Sequence, residues 1–313
     1  MEQRSLLAGD GGLARARRAV RPPPVADPAH GRPVADLDRA LARGEFRPYF
    51  QPIFDLRTGE IRGCEILARW LREDGTVVPP MNFIPLAESS GRIEAMTWQL
   101  LGRALADLQS HLKAEKDFKL SLNVVPRHLL SKGFIEALRS AVAAARVSAR
   151  QIVVEVTERD ELDDLARAAA VVGELRDYGF RVAIDDVGVG HSGLLRLKGL
   201  GANTIKIDKF FVDTITVDAS TTTIVEMLVA LARDFHMTVV AEGVETEEQV
   251  RALISCGVEE ARAISSPRPL RSIAWLRRPA LNRISSWSLR GIPEIVTHRT
   301  SRALEWNMAR QML

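Results

Sequence analysis

The sequence predicts an α/β protein built as a (β/α)8 barrel of the TIM type, and three observations carry that reading. Short β-branched runs, apolar on both faces, recur along the chain, as strands of a buried parallel sheet do. Stretches of helical periodicity alternate with them over about 240 residues. A carboxylate, amide or amine closes nearly every run, and the strand ends of a barrel share one mouth. An open, doubly wound sheet is the alternative architecture.

The elements follow in order. Residues 1–35 form an Arg/Pro-rich arm, expected to be disordered: Pro22, Pro23, Pro24, Pro28 and Pro33 oppose helix and strand alike. The barrel is expected over 36–270, with a basic extension at 271–313. A helix (Leu37 to Arg43) leads into two strands, Arg47 to Asp55 and Glu60 to Trp70, split by the turn Arg57-Thr58-Gly59. Helices are expected at Ile93–His111, Phe134–Ala145, Leu162–Tyr178, about Leu194, and Thr222–Phe235. Between them lie β-runs at Phe118–Asn123, Ile152–Thr157, Arg181–Asp185, Thr204–Ile207 and Thr238–Ala241. A capping box, Thr246-Glu247-Glu248-Gln249, opens the last helix, and Gly257 ends it.

Composition excludes several classes. At 46% hydrophobic and 27% charged residues, the 313-residue chain reads as ordinary globular protein. No apolar run reaches the length of a membrane span, and the start lacks the order of a secretory signal. Cys64 and Cys256 have no metal-type spacing, so a reduced, cytoplasmic setting is expected. The net charge of +3 is uneven. Residues 1–32 carry six Arg against three acids, and 271–313 eight Arg against two. The body between them holds 29 basic and 35 acidic residues, a net of −6. The basic ends read first as solvated tails, and second as an electrostatic contact for nucleic acid, an anionic membrane surface or an acidic partner; of these a protein partner is expected before nucleic acid.

The strand-end residues carry the chemistry. Glu65 lies in the second run; Asn123, Glu155, Asp185, Asp186 and Glu242 close later ones; Lys206 and Asp208 interleave with Ile205 and Ile207. One such acid alone is most simply a helix cap or a surface ion pair. A whole series at one barrel mouth would repel itself, and cations relieve that. The donors are all oxygen, which suits Mg²⁺ or Mn²⁺, with Ca²⁺ as an inhibitory substitute. Two ions form the usual clamp for in-line attack on a phosphodiester. Lys206 would then position water or steady phosphate, and Glu242 would ligate metal or assist deprotonation. Gly188 to Gly193 fits GxGxxG, but two acids before it would repel a cofactor pyrophosphate. His191 stands isolated, and Trp98, Trp275 and Trp287 read as packing residues.

Read together, these motifs resemble the EAL-domain cyclic di-GMP phosphodiesterases of bacteria. The resemblance rests on Tyr49-Phe50-Gln51-Pro52-Ile53, Glu65-Ile66-Leu67 followed by Ala68-Arg69-Trp70, Phe83 to Glu88, and Ser121-Leu122-Asn123. Val154 to Glu158, Ile184-Asp185-Asp186, Ile205 to Asp208 and Ala241 to Thr246 follow in the family's order. It implies an EAL-type barrel with one antiparallel strand, and cleavage of cyclic di-GMP to the linear dinucleotide. The implied metal ligands are Glu65, Asn123, Glu155, Asp185, Asp186 and Asp208, with Lys206, Glu242 and Glu65 catalytic. Gln51, Leu67, Arg69 and Asp208 would contact substrate, Glu158 would brace the loop after Asp186, and a homodimer is expected. The loop Val187 to Gly193 departs from the family's aromatic-bearing pattern. Arg262 replaces a usual Gln; it can pair with a ligand acid, bind phosphate or fold outward. These departures make a catalytically weak or inactive cyclic di-GMP receptor, acting through a partner, the second reading.

Overall fold

The computed structural model describes residues 32–157, 164–187 and 199–263. Its first element is helix α1 (Arg32–Arg43), which reaches into the arm expected to be irregular. Pro33 lies in its first turn, where a missing N–H costs nothing and a fixed φ favours entry. Strands β1 (Phe46–Asp55) and β2 (Ile61–Leu71) form an antiparallel hairpin, and β3 (Val77–Val78) extends β2 as a short flap. Helices α2 (Ile84–Ser89) and α3 (Ile93–Ala114) follow. Next come β4 (Lys119–Asn123), α4 (Pro126–Leu129), α5 (Phe134–Ala145), β5 (Ile152–Thr157), α6 (Leu165–Asp177) and β6 (Arg181–Val187). The rest are β7 (Thr204–Ile207), α7 (Lys209–Thr214), α8 (Ala219–Asp234), β8 (Thr238–Val244), α9 (Glu247–Ser255) and β9 (Glu260–Ala263).

The sheet runs β1-β9-β8-β7-β6-β5-β4-β2-β3, and β1 also pairs with β2. That last pairing closes an eight-stranded barrel with β3 outside it. The expected barrel is therefore present and the open sheet is not. β1 is antiparallel to both its neighbours, β9 and β2, while β2 and β4 to β9 run parallel. The eight-fold βα repeat is thus broken at one strand, as the resemblance implied.

Helix borders shift where side chains cap them. Asp164 accepts from Arg167 N and starts α6 three residues later than the apolar pattern suggests. Asp218 accepts from Ser220 N and starts α8 three residues earlier. The Thr246/Gln249 capping box forms as read. The core includes Phe46, Trp70 and Phe83, whose rings meet at 5.4–6.0 Å. Trp98 packs on His128 and Phe134, as a core residue should. Cys64 and Cys256 are buried free thiols.

Two bulges shape the barrel beside the strand ends. In the β6–β7 pairing, Asp185 and Asp186 together stand opposite Lys206 alone. In β8, Gly243 is inserted between Glu242, paired with Arg262, and Val244, paired with Ala263. Gly243 has φ of +77°, a conformation that favours glycine. Such insertions re-aim side chains and recur near active sites.

Candidate active site

The parallel strands bring four of the predicted acids, Glu65, Glu155, Asp185 and Glu242, together at one end of the barrel. Lys206, on β7, is 1% exposed. Its Nζ lies 2.6 Å from Glu155 Oε2, 3.1 Å from Asp185 Oδ2, 2.8 Å from Glu242 Oε1 and 3.8 Å from Glu65 Oε2. Four strands, β2, β5, β6 and β8, thus send one carboxylate each to a single ammonium. Asn123, at the end of β4, donates from Nδ2 to Glu65 Oε1 at 2.9 Å. Glu65, Glu155 and Glu242 are buried. Taking so many charges out of water is tolerable only because they neutralise one another.

A second cation completes the cluster. Arg262, 5% exposed on β9, donates from Nη1 to Glu65 Oε2 and from Nη2 to Glu242 Oε2 at 2.9 Å. Of the three placements open to Arg262 in sequence, it takes the pairing with acids, Glu65 and Glu242. The signal was available only through register: β8 and β9 set Glu242 beside Arg262, so both side chains share a face.

The other predicted residues distribute around this centre. Gln51 on β1 is the register partner of Glu65, and Leu67 and Arg69 follow Glu65 at two-residue steps on the same face of β2. Arg69 donates to the Ala68 carbonyl at 2.7 Å and lies 5.7 Å from the Tyr49 ring centre. Burial lowers its guanidinium to about 10, with Tyr49 opposing that shift. A desolvated cation still charged at neutral pH is a good receptor for a phosphate. Asp208 is buried and caps α7, accepting from Phe210 N at 2.7 Å with Oδ1. That is the simple role open to any strand-end acid. The Asp186 side chain, Glu158, His191, Trp275, Trp287 and the Gly188–Gly193 motif lie outside the described residues, as do both terminal tails beyond Arg32 and Ala263.

The donor chemistry fits a hard divalent ion: carboxylates and an amide at the barrel mouth, with no sulfur or imidazole beside them among the described residues. As the side chains stand, no group of three acids, His or Cys among the described residues is arranged to hold an ion. Lys206 and Arg262 draw the carboxylates to themselves instead. A recess of about 520 Å³ lies elsewhere: Lys119, Arg150, Arg176 and Arg181 line it near the N-terminal strand ends. Barrel chemistry belongs at the opposite face, where the acids converge.

Comparison with known proteins agrees with this geometry. The family model described as "EAL domain" matches residues 34–262. Cyclic di-GMP phosphodiesterase PdeL of Escherichia coli is 38% identical over 224 residues, 71% of this chain and 62% of that protein. Cyclic di-GMP phosphodiesterase RocR of Pseudomonas aeruginosa is 31% identical over 237 residues, 76% of this chain and 60% of that protein. The chain therefore spans less than two thirds of the length of these relatives. Among solved structures, a PaMucR phosphodiesterase in complex with c-di-GMP superposes with a TM-score of 0.72 at 30% identity, covering 78% of this chain and 99% of that one.

Proposed function

The chain belongs to the EAL-domain family, and from that premise we propose that it hydrolyses cyclic di-GMP to the linear dinucleotide with Mg²⁺ or Mn²⁺. One observation carries the reading most: carboxylates from four barrel strands meet at a buried lysine, with a desolvated arginine on a neighbouring strand position. In-line cleavage of a phosphodiester asks for a positioned water, a proton acceptor and cations against the phosphate. Glu65, Asn123, Glu155, Asp185, Asp186 and Asp208 are the residues that would hold two ions. When bound, such ions acidify a water and neutralise charge developing on the phosphate. Lys206 holds that water or a phosphate oxygen in line, since its Nζ already sits at the centre of the donor set. Glu242 accepts the proton of the attacking water. Arg69 meets the phosphate, and Gln51 with the Leu67 backbone lines the base pocket. Ca²⁺, larger and less demanding in geometry, would bind and inhibit. Relatives named as phosphodiesterases favour hydrolysis over a purely receptor role.

The buried free thiols suit a reducing cytoplasm. No helix among the described residues is long and apolar enough to cross a membrane. A homodimer, Glu158 bracing the loop after Asp186, and a protein partner on the Arg-rich ends remain part of the proposal. The test is direct: incubate the purified chain with cyclic di-GMP and Mn²⁺ and follow the linear product, with Glu65→Ala as control. Saturable binding without product would overturn hydrolysis.

A further inference from the structure

Resting on the reading of this cluster as a metal site, we propose that Arg262 is a built-in counter-cation that must release Glu65 before a divalent ion can be held there. Its guanidinium bridges two acids from different strands, Glu65 of β2 and Glu242 of β8, and all three side chains are buried. A carboxylate oxygen fully engaged by a guanidinium is poorly available to a metal. An ion that binds Glu65 therefore competes with Arg262, and its free energy of binding is reduced by whatever the Arg262–Glu65 contact is worth.

The charge count points the same way. Among described side chains, Glu65, Glu155, Asp185 and Glu242 face Lys206 and Arg262, leaving a net of −2. Without Arg262 the net would be −3, and a divalent ion would enter a more negative site. The fold also supplies somewhere for the displaced group to go. Arg262 and Glu242 are register partners in adjacent strands, so the guanidinium can leave Glu65 and keep Glu242. Its Nε–H is buried without a hydrogen-bond partner among the described residues, so the bridging pose does not satisfy the whole group. Arg262 would act as a positioning residue: a brake on metal loading, set by competition with the ion.

The test needs no substrate, so its outcome is separate from that of the hydrolysis assay. Titrate the full chain with Mn²⁺, measuring free ion by electron paramagnetic resonance, for wild type and Arg262→Gln. The variant should bind Mn²⁺ about 5- to 150-fold more tightly, the range of an ordinary coupling between two ligands. In chelator it should melt below wild type, and Mn²⁺ should raise its melting temperature by more. Equal or weaker Mn²⁺ binding by folded Arg262→Gln overturns the proposal, as does no binding by either protein. Should the variant fail to fold, the wild type decides alone. The guanidinium NMR signals of Arg262, assigned by their loss in Arg262→Lys, should shift on saturation with diamagnetic Mg²⁺. Signals unmoved at saturation overturn the proposal. Tight Mn²⁺ binding with no hydrolysis would sink the enzymatic reading and leave this one standing.

Discussion

Replacing Lys206 with Met keeps most of the side-chain volume and removes one positive charge from the centre of the cluster. Three carboxylates lie within 3.1 Å of its Nζ. At an effective dielectric near 20, each contact is worth roughly 5–6 kcal/mol of gross attraction. Desolvation of the ions offsets most of that, several kcal/mol apiece. What the substitution exposes is the remainder: four acids with Arg262 as the remaining cation of the cluster among the described residues, an uncompensated burial that costs about 3–5 kcal/mol. For a domain of this size that is a fall of roughly 6–20 °C in melting temperature. The assay is thermal and urea denaturation in chelator, with exposed Lys132→Met as the control. The control should change stability by less than about 0.5 kcal/mol. A total stability of about 5–15 kcal/mol leaves Lys206→Met folded enough to measure. A loss below about 1 kcal/mol would refute the account, because the acids would then need no internal cation. Turnover should fall by about a hundred- to ten-thousand-fold, the usual weight of a positioned proton-transfer or orienting group.

Arg69→Ala should raise KM about 10- to 150-fold, the loss of hydrogen bonds to a charged group worth about 1.5–3 kcal/mol, while Mn²⁺ affinity stays unchanged; an unaltered KM would remove Arg69 from the phosphate site. Gly63→Ala sets a Cβ 2.6 Å from the Lys119 carbonyl oxygen, a backbone atom that cannot step aside. Denaturation should show a loss of about 1–3 kcal/mol, and a change under about 0.5 would contradict the close β2–β4 approach. Burial raises the carboxyl of Glu260 above its ordinary range, with Arg181 opposing. A raised folded-state pKa means stability is fully present below the unfolded value and is lost as pH rises through the folded one. Glu260→Gln should therefore melt higher than wild type at pH 7 and equal to it near pH 4; a lower melting point at pH 7 would show that the Arg181 pairing dominates.

Much of this was legible because physics left few alternatives. The runs at Ile152–Thr157 and Thr204–Ile207 match the strands residue for residue, since their β-branched residues are buried on both faces and a single charged residue, Glu155 or Lys206, does not break the run. β9 escaped notice: Glu260-Ala261-Arg262-Ala263 is four residues long and half charged, and its pairing with β1 and β8 makes it a strand where propensity would not. The helix Lys209–Thr214 was hidden by its brevity, although Asp208 before it is an ordinary cap. Convergence of Glu65, Glu155, Asp185 and Glu242 on Lys206 followed from strand-end arithmetic. The orientation of Arg262 did not, because it depends on which residue of β8 stands beside it, and no local pattern fixes that. Nor did the bulge setting two aspartates against one lysine announce itself, since a one-residue insertion leaves the hydrophobic run intact.

The closing strand carries a consequence for how the molecule is made. β1 finds β2 almost at once during synthesis, but its other edge waits for β9, whose Arg262 pairs with Ile53. Until more than two hundred further residues have emerged, that edge is unpaired and Glu65 has no arginine opposite it. Contacts so distant in sequence are slow to form. Assembly of the cluster is therefore a late event, and a nascent chain stalled before β9 would hold the acids of the mouth without the arginine that helps neutralise them. Any machinery that attends this chain on the ribosome meets an open sheet edge for as long as the segment between β2 and β9 is being made, an edge of the kind that templates aggregation.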